Sequence, residues 1–180
     1  MQLEVPFFSQ LDEQVPEELR RSVCAIACIK MILEYKKVEC DFLKVLKEAE
    51  WIGEKDPAGW THEVLVRVLR NHTVLAYRQE FVAHSIDVST QSAVVAQHTP
   101  EFVEQGIGKI KKNIDAGNSV MVSVIAGFSE NREDHVVLIT GYTEDSFSIL
   151  DPILHAEQNP TIISIETFKT FWKRLAIFVE

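Results

Sequence analysis

Two rhythms of hydrophobic and polar positions follow one another along the chain. The run Val23-Cys24-Ala25-Ile26-Ala27-Cys28-Ile29-Lys30-Met31-Ile32-Leu33 is apolar apart from Lys30. A run of that length with no polar face predicts a central helix, buried all round, over residues 23–36 with Ser22 as its N-cap. Asp41 opens a second helix whose apolar side is Phe42, Leu43, Val45 and Leu46. Behind Thr61, Val64, Leu65, Val68 and Leu69 recur at three- and four-residue spacing, and Ile107, Ile110 and Ile114 do the same between Pro100 and Gly117. Each stripe predicts an amphipathic helix.

After Gly117 the period shortens. Residues 119–125, 135–140, 147–150 and 161–165 are short, rich in β-branched residues and bounded by turn formers, which predicts strands. A further short strand is expected over 74–77, a helix over 167–175 and a last strand over 176–179. Residues 5–8 read as extended, 11–21 as an acidic loop containing Pro16, and 53–59 as a turn-rich loop with Pro57, while 79–98 are polar and mixed, with no readable period. Helices first and antiparallel strands second predict an α+β fold, with a helical N-terminal half around one buried helix and an antiparallel sheet in the C-terminal half.

A chain of 180 residues suits one domain spanning 1–180. Its 46% hydrophobic and 25% charged content suffice for a real core. The net charge of −9 argues against non-specific binding to nucleic acid or an anionic membrane, which needs basic surface. No apolar run reaches the length of a membrane span, and the first residues lack the basic-then-apolar pattern of a signal peptide, so a cytoplasmic location is expected. Three cysteines, Cys24, Cys28 and Cys40, are too few and odd in number for a disulfide framework, and their spacing does not suit a structural zinc site.

Cys24 carries the candidate chemistry. A thiol attacks a carbonyl as thiolate, and a free cysteine, with a pKa of about 8.5, is mostly protonated at neutral pH. A helix N-terminus and an adjacent histidine each favour the anion. Cys24 stands in the first turn of its predicted helix, and His135 begins a later strand where it can face that helix end and act as base, then acid. Asp151, tied to Pro152, follows the neighbouring strand and can orient the imidazole. Asp145 reads instead as a hairpin tip, and Asp134 points to the other face of the strand. The oxyanion needs two donors: the Cys24 backbone N–H supplies one, and an upstream side-chain amide the other, with Gln10 the leading candidate and Gln14 the runner-up.

The stretches Val5-Pro6-Phe7-Phe8-Ser9-Gln10, Cys24 with Ala27-Cys28-Ile29-Lys30-Met31, Gly59-Trp60-Thr61-His62, His135 through Gly141-Tyr142, and Asp151-Pro152 together resemble the papain-fold cysteine peptidases of family thirty-nine, the bacteriocin-leader or double-glycine peptidases. The resemblance spans nearly the whole chain in the right order. It implies a papain-like fold, a peptide or protein substrate, catalytic Cys24, His135 and Asp151, Gln10 in the oxyanion hole, and no metal or organic cofactor. Members usually carry Gly after the nucleophile where this chain has Ala25, and the leader peptidases place Gln only a few residues before Cys. Here residues 11–21 intervene and must bulge out.

The expected activity is hydrolysis of a peptide bond through a thioester. Two rivals share the fold: a peptide-binding module that does not cleave, and a thiol acyltransferase in which an amine resolves the thioester. Cys28 and Cys40 read as core filling, His62 as a first-turn helix residue, and Trp51, Trp60 and Trp172 as core anchors. His72, His84, His98 and His155 have no chemical context, and the acidic run 13–18 reads as solvated loop.

Overall fold

In the computed structural model, residues 1–53, 55, 59–86, 94–97, 99–130 and 133–180 are described; Pro57, His98 and residues 87–93 of the polar stretch lie outside them. The apolar run forms α1, Cys24–Tyr35, with every residue from Cys24 to Leu33 buried. Its one cation is satisfied in place: the Lys30 ammonium lies 2.5 Å from the Glu34 carboxylate, donates to the Cys40 carbonyl at 3.4 Å and sits over the Phe8 ring. Ser22 does not cap this helix. A single helical turn at Glu17–Leu19 draws it backwards, so that its hydroxyl and its N–H both bond the Leu19 carbonyl, and Val23 becomes an N-cap without a side-chain bond.

Helix α2, Phe42–Ile52, starts as expected, with the Asp41 carboxylate accepting from Lys44 N–H at 3.0 Å. Its buried face is Phe42, Val45, Leu46 and Ala49. Leu43 lies off that face, 40% exposed, and Trp51 projects from the last turn, 85% exposed, so Trp51 is no core anchor. Helix α3, His62–Asn71, buries the expected stripe of Val64, Leu65, Val68 and Leu69. Val74 is not part of the following strand, because its N–H closes the α3 end on the Leu69 carbonyl. The strand β1 therefore runs over Ala76–Glu80. Within the polar stretch, β2 (Ala83–Ile86) and β3 (Val94–Gln97) pair as a separate antiparallel ladder.

Helix α4, Pro100–Asp115, precedes β4 (Val120–Ile125), β5 (Asp134–Tyr142), β6 (Ser146–Leu150), β7 (Thr161–Ser164), α5 (Ile165–Phe171) and β8 (Trp172–Val179). The helix expected over 167–175 stops at Phe171. Phe168 and Trp172 have helical spacing, but Trp172 is drawn into a buried ring cluster with Phe81 and Phe168, at centroid distances of 5.3 and 5.2 Å, and residues 172–175 join the sheet instead. Gly106 on α4 makes room for that indole: a Cβ there would lie 2.9 Å from Trp172 Cζ3 and 3.0 Å from Phe81 Cγ.

The six-stranded sheet has the order β1-β8-β4-β5-β6-β7, antiparallel throughout. Alternate residues face two apolar layers. Met121, Leu138, Leu150 and Ile177 pack toward α1, α2 and α3. Val120, Val122, Val137, Ile139 and Phe178 pack toward α4 and α5. Burial on both faces explains why β4 and the second half of β8 read as nearly unbroken apolar runs. The N-terminal segment lies against the β5–β6 pair: Leu3 N–H bonds the Thr140 carbonyl, and Gln10 N–H bonds the Pro152 carbonyl, each at 2.8 Å.

Candidate active site

Cys24 is the first residue of α1, only 5% exposed, at a helix end whose N–H groups receive no side-chain cap. His135 is the second residue of β5 and Asp151 follows β6 directly; they are 5% and 6% exposed. Antiparallel pairing of these strands, with Leu138 opposite Leu150, brings the two side chains together. His135 Nε2 lies 2.6 Å from Asp151 Oδ1. With Nε2 committed, Nδ1 is the ring nitrogen left for Cys24, which lines the same cleft.

Burial works against a charge on His135, but the hydrogen bonds to Asp151 and Cys24 outweigh it and raise its pKa from 6.5 to about 10. The ring is therefore an imidazolium at neutral pH, between a thiol and a carboxylate. Asp151 is itself fixed from behind. Its Oδ1 accepts from Ile153 N–H at 3.1 Å, its N–H donates to Asn159 Oδ1 at 2.8 Å, and Asn159 Nδ2 donates back to its carbonyl at 3.3 Å. One turn below the nucleophile candidate, Cys28 is fully buried and donates to the Val136 carbonyl at 3.6 Å. Burial, with Cys24 and Asp151 nearby, pushes its thiol well above the ordinary range, so it stays protonated.

Cys24 and His135 open into a cleft of about 470 Å³. It is lined by Trp60 and His62, at the approach to and start of α3, and by the adjacent strands β1 (Arg78, Glu80), β8 (Lys173, Leu175) and β4 (Ser123). The charges at its rim are paired: Arg78 bridges Glu63 and Glu80 at 2.5 Å each, and Lys173 bridges Asp134 at 2.6 Å. Asp145 is at the exposed hairpin tip, accepting from the Thr143 hydroxyl.

Gln10 is not among the residues lining this cleft. It is 1% exposed, its Nε2 donates to the Arg20 carbonyl at 2.5 Å, and its Oε1 has no partner. Residues 11–21 bulge out as expected and are held by their own bonds, with the Arg20 guanidinium donating to the Val15 and Asp12 carbonyls. Gln14 is exposed beside a different pocket, with Lys30 and Cys40. Two residues of the site, Asn159 and Ser123, escaped the sequence reading, while His62 is the first-turn helix residue expected. Asn159 shows no signal beyond standing before Pro160. Ser123 is the lone polar residue of an apolar strand, and His62 closes the Gly59-Trp60-Thr61-His62 stretch; they meet at 2.7 Å in the cleft.

A family model described as the Peptidase_C39 like family matches residues 2–176. No curated protein sequence matches the chain. Among solved structures, a C39-like peptidase from Bacillus anthracis is 17% identical with a TM-score of 0.65, the alignment covering 98% of this chain and 95% of that one. The peptidase domain of Streptococcus ComA, a bi-functional ABC transporter of a quorum-sensing pathway, is 16% identical with a TM-score of 0.63, covering 98% of each chain. A double-glycine-motif protease from an AMS/PCAT transporter, solved with its leader peptide, is 13% identical with a TM-score of 0.58, covering 99% of this chain and 92% of that one. At these identities the likeness establishes the papain-like fold. Among the described residues no helix is long and apolar enough to cross a membrane.

Proposed function

The chain belongs to the Peptidase_C39 like family, and from that premise we propose that it hydrolyses a peptide bond by thiol chemistry at Cys24. The observation that carries the reading is His135, buried with Nε2 2.6 Å from the Asp151 carboxylate and lining the same cleft as Cys24, a setting that favours the charged ring. In this reading the proton of Cys24 rests on His135 before substrate arrives. The thiolate attacks the scissile carbonyl, the C–N bond breaks, and His135 delivers its proton to the departing amine. The resulting thioester is attacked by water, whose proton returns to His135, and the acid product leaves with Cys24 regenerated. Asp151, clamped by Asn159, keeps the imidazole in one orientation throughout.

The oxyanion donors proposed are the Cys24 N–H at the uncapped end of α1 and the Gln10 amide, whose second N–H is not the one held by Arg20. A peptide substrate is supported by the transporter protease neighbour, which was solved with a leader peptide. The test is digestion of a mixture of random-sequence peptides by wild type and Cys24→Ala, read by mass spectrometry. Cleavage by wild type alone supports the reading; equal cleavage by both, or none by wild type, refutes it. The Gln10 amide turned onto Arg20 favours a second reading, a domain that holds peptides without cleaving them. That reading expects the same peptides to bind wild type and Cys24→Ala and to be recovered intact from both.

A further inference from the structure

The cleft holds a second imidazole that the mechanism above does not use. His62, the first residue of α3, brings Nε2 to 2.7 Å from Ser123 Oγ. Ser123 is 7% exposed on β4, on the face where Met121, two residues earlier, packs toward α1. Its neighbours Val120, Met121, Val122 and Val124 are all buried and apolar. A hydroxyl in that row costs desolvation unless it is bonded, and here its partner is a histidine at the edge of the cleft. The bond reaches from α3 to β4 and fixes the orientation of the ring.

The ionisable groups around His62 are Glu63 on its own helix, Arg78 and Glu80 on β1, and Lys173 on β8. Arg78 is already engaged by the two glutamates and Lys173 by Asp134. Burial lowers the pKa of His62, so this ring is neutral where His135 is charged. With Nε2 on Ser123, the neutral ring leaves Nδ1 for one further hydrogen bond, and the Ser123 hydroxyl can take either role on the other nitrogen, so Nδ1 can serve as donor or as acceptor. Next to the thiol the chain thus offers uncharged hydrogen-bonding groups framed by charges that neutralise one another, and not an apolar slot.

We propose that His62, locked by Ser123, is a specificity-determining residue that hydrogen-bonds an uncharged polar side chain (Ser, Thr, Asn or Gln) at one fixed substrate position beside the scissile bond. The inference rests on Cys24 acting as a peptidase nucleophile, and its test separates the two claims. A mixture of random-sequence peptides is digested by wild type, His62→Ala, His62→Gln and Ser123→Ala, and the residues flanking every cut are counted by mass spectrometry. Wild type should enrich Ser, Thr, Asn and Gln at a single position. His62→Ala and Ser123→Ala should lose that enrichment there and nowhere else. For a peptide of the preferred sequence KM should rise about tenfold, the size of one hydrogen bond, with the loss in KM and not in kcat. His62→Gln, which keeps a donor and an acceptor, should restore part of the preference. Failure of wild type to cut any peptide overturns the peptidase reading and this inference with it. Cutting without polar enrichment, enrichment that survives in both alanine variants, or a uniform loss in kcat overturns the inference alone.

Discussion

Replacing Asp151 by Asn tests whether this carboxylate holds the charge on His135. The substitution keeps size and shape but removes the anion 2.6 Å from His135 Nε2. The rise of the His135 pKa from 6.5 to about 10 corresponds to about 5 kcal/mol in favour of the imidazolium. Asp151 and Cys24 produce that rise against the opposing effect of burial. If Asp151 accounts for somewhat under half, its loss removes on the order of 2 kcal/mol, and the imidazolium-to-imidazole ratio falls about thirtyfold. The assay is the second-order rate of Cys24 alkylation by iodoacetamide as a function of pH. At about pH 6 an ordinary thiol is only about 0.3% ionised, so complete loss of the imidazolium partner slows alkylation by about 300-fold, the floor expected for His135→Ala. In Asp151→Asn the ring pKa should fall from about 10 to about 8.5, which NMR titration of the His135 ring reads directly; the ring is then still charged at about pH 6, so alkylation there should stay near the wild-type rate and far above that of His135→Ala. The other cysteines do not obscure the readout. Burial pushes both thiols up, Cys28 strongly and Cys40 to a lesser degree. A His135 ring that titrates at about the same pH in Asp151→Asn as in wild type would refute the reasoning, since the hydrogen bond would then contribute nothing to the charge.

Three further outcomes are expected. His135 has a folded pKa above its ordinary 6.5, so its stabilising contribution is fully present below about pH 6.5 and is lost as pH rises through about 10. Urea denaturation of wild type and Asp151→Asn should show their stability difference shrinking over that window; a difference that grows with pH contradicts the assignment. Gly106→Ala would press a methyl against Trp172 and Phe81, and overpacking of about 1–3 kcal/mol should outweigh a gain in helix propensity of about 1 kcal/mol. A lower Tm is expected, and an unchanged or higher one shows that the indole moves freely. Trp51→Ser, at a side chain 85% exposed, should change the unfolding free energy by less than about 0.5 kcal/mol; a larger loss by denaturant titration would place Trp51 in a contact.

The order of helices and strands was legible in the chain because period reports burial directly. The all-apolar stretch from Val23 to Leu33 became the buried α1, and the β-branched runs after Gly117 became β4 to β7. His135 and Asp151 could be paired from sequence because a short hairpin joins their strands, which makes their proximity a local matter. Features that depend on distant partners were hidden. Trp172 sits at helical spacing from Phe168, and only the ring of Phe81 and the gap at Gly106, far away in sequence, turn it into a strand residue. Trp51 carries the hydropathy of a core anchor, but its place on α2 points it outward. Gln10 precedes Cys24 by a loop whose Arg20 carbonyl takes the amide, a contact that spacing does not encode. His62 and Ser123 come from a helix start and a central strand 61 residues apart, so neither residue's own surroundings announce the other.

The strand β8 comes last in the chain yet lies inside the sheet, between β1 and β4, and gives Lys173 and Leu175 to the cleft. During synthesis, residues 1–171 emerge with Cys24, His135 and Asp151 already present but with a slot where that strand belongs. Such a chain exposes both flanking strand edges and lacks the part of the cleft that Lys173 and Leu175 line. A nascent polypeptide still waiting for β8 thus holds Cys24 beside an unfinished cleft. Chaperone protection is most needed in that interval.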